Sequence, residues 1–253
     1  MENRHSLEGK NAIITGARRG IGRSITEEFA KRGANIWACA RKSDDDFLDD
    51  MRSLSQKYSV DIKPVFFDLA DRDETKAAVQ GIIKEKRTID ILVNNAGVSF
   101  GGLLNMTSID KLKEVFEVNY FAQIQMIQLV SRVMMKQKSG SIVNMASIGG
   151  IETAEGYLAY GSSKSALIYA TKSISRELGE YGIRVNAVAP GLTDTEMGGY
   201  KPEEEINKVI ARSSLHRIAQ PYEIAGCVAF LASDEASFIT GQVLIADGGR
   251  ICS

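Results

Sequence analysis

The 253-residue chain is short of the side chains that bind metals or build disulfide frameworks. Its three cysteines, Cys39, Cys227 and Cys252, are odd in number and widely spaced, which argues against a disulfide scaffold and a zinc site. Only His5 and His216 accompany them, so no structural metal is expected. An excess of one charge is also missing: 31 Lys and Arg face 32 Asp and Glu, for a net charge of −1. Without a long basic run, a nucleic-acid or anionic-membrane role has no electrostatic support. No apolar stretch reaches the ~18 residues of a membrane span. The opening MENRHSLEGK lacks the apolar core of a secretion signal, so a cytoplasmic location is expected. No Pro/Ser/Gly-rich linker and no internal repeat divides the chain, which reads as one domain over 1–253.

What is present is a composition that buries a core, with 44% hydrophobic and 25% charged residues. Short Val/Ile-rich runs at 11–15, 35–40, 62–67, 90–94, 141–146, 183–189 and 242–247 predict strands buried on both faces. Amphipathic stretches between them predict helices at 21–32, 43–58, 72–86, 108–136, 157–180, 203–212 and 221–232. The alternation predicts an α/β fold, a doubly wound parallel sheet of seven strands with helices on both faces. The segment 192–220 contains TDTEMGGYKPEEE and no strand. It is the candidate substrate lid over the carboxyl edge of the sheet, where such folds bind ligands.

After the first strand comes Thr15-Gly16-Ala17-Arg18-Arg19-Gly20-Ile21-Gly22, followed at once by a helix. Glycines allow a tight turn and close approach to a pyrophosphate, and a helix N-terminus offers free N–H groups. The second strand ends Cys39-Ala40-Arg41, where an NAD-preferring fold usually places an acid for the ribose 2′-hydroxyl. Arg41, with Arg18 and Arg19 from the neighbouring turn, can clamp a 2′-phosphate instead, so the cofactor expected is NADP(H). Asp68, with Leu69 after the third strand, is a candidate partner for the adenine amino group, because Asp71 is the better helix cap. Asn94-Asn95-Ala96-Gly97 closes the fourth strand with small residues against which ribose can lie, or with sheet-edge hydrogen bonders.

The stretch YLAYGSSKSALIY holds three tyrosines, and Tyr160 alone has a lysine, Lys164, four residues later. Four residues along a helix is one face, so the ammonium is expected to lower the Tyr160 pKa. Tyr157 and Tyr169 lack this partner and read as packing residues.

These pieces together resemble the short-chain dehydrogenase/reductase family from about residue 7 to 250. They are TGARRGIG, DLAD, NNAG, VNYFA, SIVNMAS, Tyr160-Gly-Ser-Ser-Lys164 and VNAVAPG, with Ser147 thirteen residues before Tyr160. The resemblance implies a Rossmann fold and hydride transfer between nicotinamide and a carbonyl or secondary alcohol. Tyr160 would be general acid and base, Ser147 would polarise the carbonyl, and Lys164 would bind the nicotinamide ribose. Asn119 would hold a water linking Lys164 to solvent; an asparagine is mildly unfavourable inside a helix, which fits a task. Pro190-Gly191, with Thr193 and Thr195, would cradle the carboxamide and pyrophosphate. Cofactor contacts would thus come from Gly16, Arg18, Arg19, Gly20, Ile21, Gly22, Arg41, Asp68, Leu69, Asn95, Ala96 and Gly97 on one side. Tyr160, Lys164, Pro190, Gly191, Thr193 and Thr195 supply the other, with no metal.

Within the family the chain is most similar to 3-oxoacyl-carrier-protein reductases. An acidic carrier would be met by basic residues around the cleft, and Lys138 is a candidate; Tyr181 stands where a second is frequent. A free small ketone, sugar, steroid or secondary alcohol remains open as substrate, and a non-enzymatic NADP(H)-binding regulator is the more remote alternative. The resemblance also implies a homotetramer. His216 and the acidic runs 44–46 and 203–205 read as surface, and Cys39 as a buried apolar group.

Overall fold

The apolar runs pair edge to edge because each can be covered on both sides. The computed structural model describes residues 6–199 and 202–250; His5, Cys252 and, in the candidate lid, Tyr200 and Lys201 lie outside them. The strands are β1 (Asn11–Thr15), β2 (Asn35–Ala40), β3 (Ile62–Phe66), β4 (Ile91–Asn94), β5 (Gly140–Met145), β6 (Ile183–Pro190) and β7 (Val243–Ala246). They form one sheet in the order β3-β2-β1-β4-β5-β6-β7, every pair parallel. The order reverses between β1 and β4, which opens a crevice at their carboxyl ends.

The helices are α1 (Gly20–Lys31), α2 (Asp45–Tyr58), α3 (Arg72–Lys84), α4 (Ile109–Phe116), α5 (Ala122–Gln137), α6 (Leu158–Leu178), α7 (Glu196–Gly199), α8 (Glu203–Arg212) and α9 (Pro221–Ala232). Successive strand residues point to opposite faces. Ile14, Val93 and Val143 therefore pack with Phe29 and Val228 from α1 and α9. Ile13, Leu92 and Ile142 pack with Val79, Met126 and Val130 from α3 and α5. Asp71 caps α3 by accepting from the amides of Asp73 and Glu74, and Asp44 caps α2 through Phe47. No helix among the described residues is long and apolar enough to cross a membrane.

Three expectations change. The single helix expected over 108–136 is broken by a π-helical turn at Glu117–Phe121, centred on Asn119. Lys138 does not flank the cleft of its own chain. It stands just before β5, whose first residue pairs with the first of β6, so it lies at the amino edge, opposite the carboxyl ends. There its ammonium sits 5.8 Å from the Tyr181 ring. Tyr169 is not packed within the chain; it is 76% exposed on α6.

Candidate active site

The cofactor end is built on close approach. Gly16 and Gly20 have φ of +68° and +56°, a region costly for any side chain. A Cβ on Gly22 would meet Gly16 O and Asn95 Nδ2 at well under 3.0 Å. Asn95 uses that amide to hold Thr15 O at 3.0 Å and Gly16 O at 3.3 Å, so its side chain braces the turn as a sheet-edge bonder. Thr15, which sequence reasoning passed over, accepts from the amides of Asn95 and Ala96, both at 3.0 Å. Thr195 stands over the start of α1, its Cγ2 facing Gly20, and thus faces the turn from the far side. Pro190 ends β6; Gly191 receives a hydrogen bond on its carbonyl from Thr193 Oγ1 at 3.1 Å. Ile21 is half-buried against the α1–α2 core.

The arginines expected at the 2′-phosphate are all exposed, and two have protein partners. Arg18 pairs with Asp44 at 2.7 Å, and Arg19 pairs with Glu196 of α7. Asp68, half-buried like Leu69 beside it, is not wholly free, since one carboxylate oxygen accepts from Ala70 N at 2.9 Å.

The chemical end gathers at the carboxyl edges of β4 and β5. Ser147 follows β5 and caps a 3₁₀ turn, Ile148–Gly150, accepting from Gly149 N at 3.1 Å. Tyr160 and Lys164 lie in the first two turns of α6. A Cβ on Gly149 would stand 3.5 Å from both Ser147 Oγ and the Tyr160 ring, so the two hydroxyl residues flank one small gap. Tyr157 packs edge-on against Tyr160, ring centroids 6.1 Å apart.

Asn119 is fully buried, and its side chain is spent on protein partners. Oδ1 accepts from Val98 N at 2.8 Å, and Nδ2 donates to Val98 O at 2.9 Å and Ser163 Oγ at 3.1 Å. Both N–H groups being used, the amide fixes the turn after β4 rather than donating to a water. Gly97 is pressed between Asn119 Oδ1 and Lys164 Nζ, which a Cβ there would meet at 3.1 and 3.5 Å. Gln123, four residues on and on the same helical face, steadies Ala96 through its carbonyl at 2.7 Å. That spacing was available in the sequence.

The expected acidification of Tyr160 is corrected. Burial pushes its pKa up, a hydrogen bond from Ser147 offsets part of that rise, and Tyr157 adds to it. The ammonium of Lys164 is 5.9 Å from the Tyr160 ring centroid and donates to Met145 O at 2.7 Å. Burial pushes Lys164 down to about 8. One desolvated pocket thus disfavours both charged forms.

This has a consequence for stability. The unfolded lysine titrates at 10.5 and the folded one near 8, so between these values the unfolded state binds more protons. Stability from this group therefore rises as pH increases from about 8 to 10. Comparison of thermal midpoints at pH 7.5 and 9.5 should show the native protein gaining relative to Lys164→Met. Parallel shifts in the two proteins would remove Lys164 as the cause.

The profile of the family described as enoyl-(acyl carrier protein) reductase matches residues 16–250. The chain belongs to the short-chain dehydrogenase/reductase family. This oxidoreductase is 38% identical over 247 residues to the 3-oxoacyl-[acyl-carrier-protein] reductase FabG of Thermotoga maritima, covering 97% of this chain and 99% of that one. It is 37% identical to the FabG of Chlamydia trachomatis, covering 96% and 98% of the two chains. A solved double mutant of a Serratia marcescens short-chain dehydrogenase/reductase superposes with a TM-score of 0.90 at 32% identity, covering 97% of this chain and 99% of that one.

Proposed function

We propose that the protein is an NADP(H)-dependent reductase of 3-oxoacyl thioesters carried by an acyl-carrier protein. The observation that carries this reading is the pair of hydroxyl residues, Ser147 and Tyr160, that flank one small gap beside Gly149. The crevice fits a dinucleotide, because at Gly16 and Gly22 the turn has no room for a Cβ and Gly16 and Gly20 hold it in a positive-φ conformation that glycine adopts freely. When bound there, NADPH supplies the hydride. Ser147 orients the substrate carbonyl and shares the charge developing on its oxygen, and Tyr160 hands that oxygen its proton. Lys164, anchored on Met145 O and 5.9 Å from the Tyr160 ring, would hold the nicotinamide ribose and place positive charge near the phenol. Asn119 is a positioning residue for the Gly97-Val98 turn.

Arg41 and Arg18 support the 2′-phosphate, with Arg18 exchanging Asp44 for it. The Arg18–Asp44 pair also favours a second possibility, NADH with Asp44 near the ribose. The absence of Lys138 from the cleft of its own chain likewise favours a free small ketone as substrate. One set of assays separates these: kcat/KM with NADPH and NADH, each against a 3-oxoacyl thioester and a panel of free ketones. A charge-assisted contact of ~1.5–3 kcal/mol predicts about a 10- to 100-fold preference for NADPH. Equal or better use of NADH, or of free ketones, overturns the corresponding half. We extend the reading to a homotetramer, supported by the bare Tyr169 and Phe238 rings and checked by light scattering.

A further inference from the structure

Tyr160 and the Gly97-Val98 turn lie on different elements, and one small hydroxyl joins them. Tyr160 and Lys164 belong to α6, whereas the turn follows β4. A Cβ on Gly97 would stand 3.1 Å from Asn119 Oδ1 and 3.5 Å from Lys164 Nζ. Glycine thus lets the turn come close to α6, but it offers no side chain to fix it there.

Other residues do the fixing. Asn119 brackets the turn through Val98, accepting from its amide at 2.8 Å and donating to its carbonyl at 2.9 Å. The second N–H of the same carboxamide donates to Ser163 Oγ at 3.1 Å. Ser163 Oγ in turn donates to Tyr160 O at 2.7 Å. An amide N–H only donates and a carbonyl only accepts, so the group between them must do both, as a hydroxyl does. Alanine would be the better helix former at this position; serine gives up propensity and gains the bridge. Ser163 and Asn119 are both fully buried, so bulk water cannot replace either bond, and an orphaned N–H there is costly.

We propose that Ser163 is a positioning residue for the transfer step: its hydroxyl ties the Tyr160 turn of α6, through Asn119, to the Gly97-Val98 turn, and so fixes the proton donor relative to a dinucleotide in the crevice. It acts through Tyr160 and Asn119, not on the reacting atoms. Transfer is sensitive to such placement, since a shift of about 1 Å can cost on the order of a hundredfold in rate. The inference rests on reading the site as that of a nicotinamide-dependent carbonyl reductase.

The test compares Ser163→Ala and Ser163→Cys with the native protein. Cysteine is close to serine in size, but its thiol bonds weakly. It therefore removes the bridge without opening a space, and it serves where the alanine variant does not fold. Amide exchange followed by NMR reads the tie without turnover. The Val98 amide should exchange about tenfold faster in both variants. The Ala96 amide, held by Thr15 Oγ1 at 3.0 Å, is the reference and should not change. The rate constant for single-turnover NADPH oxidation should fall by about tenfold or more at full amplitude. A serine that only supports the fold would lower the amplitude and leave that rate constant alone. NADPH affinity, measured by nucleotide fluorescence, and KM for the carbonyl substrate should stay within about threefold, because the glycine cradle and Ser147 are untouched. In an Asn119→Ala background, Ser163→Ala should add no more than about twofold, since both changes cut one link. Unchanged Val98 exchange, a rate constant within about twofold of native, a loss confined to the amplitude, or full additivity with Asn119→Ala overturns the tie. If the native protein turns over no carbonyl compound, the reductase reading fails by itself, while Val98 exchange still decides whether Ser163 holds the turn.

Discussion

Tyr160→Phe is expected to lower kcat by about 10²- to 10⁴-fold, the usual worth of a positioned acid, while leaving NADPH affinity within a few-fold of native. The substitution removes one hydroxyl and keeps the ring that packs edge-on against Tyr157 at 6.1 Å, so the thermal midpoint should hardly move. Ser147 cannot take over, because its hydroxyl would have to become an alkoxide to give up its proton. Lys164 cannot reach either while it is committed to Met145 O at 2.7 Å. Burial raises the Tyr160 pKa, so near neutrality the phenol is protonated and poised to donate. That favours carbonyl reduction over alcohol oxidation, which needs the phenolate first. Single-turnover NADPH oxidation by the variant, with binding measured separately by nucleotide fluorescence, checks this. Near-native turnover would mean that the proton comes from another group.

The seven strands were legible because a parallel strand covered on both faces must be a short, nearly continuous apolar run. Their sequence limits agree with the structure to within about two residues, the usual uncertainty of element ends. Tyr160 and Lys164 were legible by spacing, one helical turn apart, whereas Ser147 was picked out by the family resemblance, thirteen residues before Tyr160. Spacing says nothing about dielectric, however. It put the lysine on the face of the tyrosine but could not say that burial would outweigh the ammonium, or that Met145 O would accept a hydrogen bond from it. Asn119 stood out as a poor helix residue, yet the partners that occupy its side chain, Val98 and Ser163, come from 21 residues before and 44 residues after it and leave no local signal. Lys138 was different. A residue just before a strand lies at the amino edge whatever the family resemblance suggests, so chain direction alone sufficed to move it away from its own cleft.

Gly22→Ala and Gly81→Ala are the same change in two helices, and they are expected to act in opposite directions. By intrinsic propensity alone, each should stabilise a helix by about 0.5–1 kcal/mol. Gly81 lies near the end of α3 with nothing within 4 Å of its missing Cβ, so propensity decides, and the thermal midpoint should rise by a degree or more. Gly22 lies in the first turn of α1, where a Cβ would press on Gly16 O and Asn95 Nδ2. One of these is backbone and the other an amide already bonded to Thr15 O and Gly16 O, so neither can swing aside cheaply. Relief requires α1 to move away from β1, and overpacking of this kind costs about 1–3 kcal/mol. At about 2–4 °C per kcal/mol for a chain of this size, the midpoint should fall by several degrees. The same movement spreads the turn that would hold the pyrophosphate, so NADPH affinity should fall by at least about tenfold, or 1.4 kcal/mol. Thermal melts and nucleotide titrations of both variants check the pair. Stabilisation of both would show that the glycine at 22 reflects helix statistics alone, and loss of nucleotide binding in Gly81→Ala would show that the cradle is not where the clashes locate it.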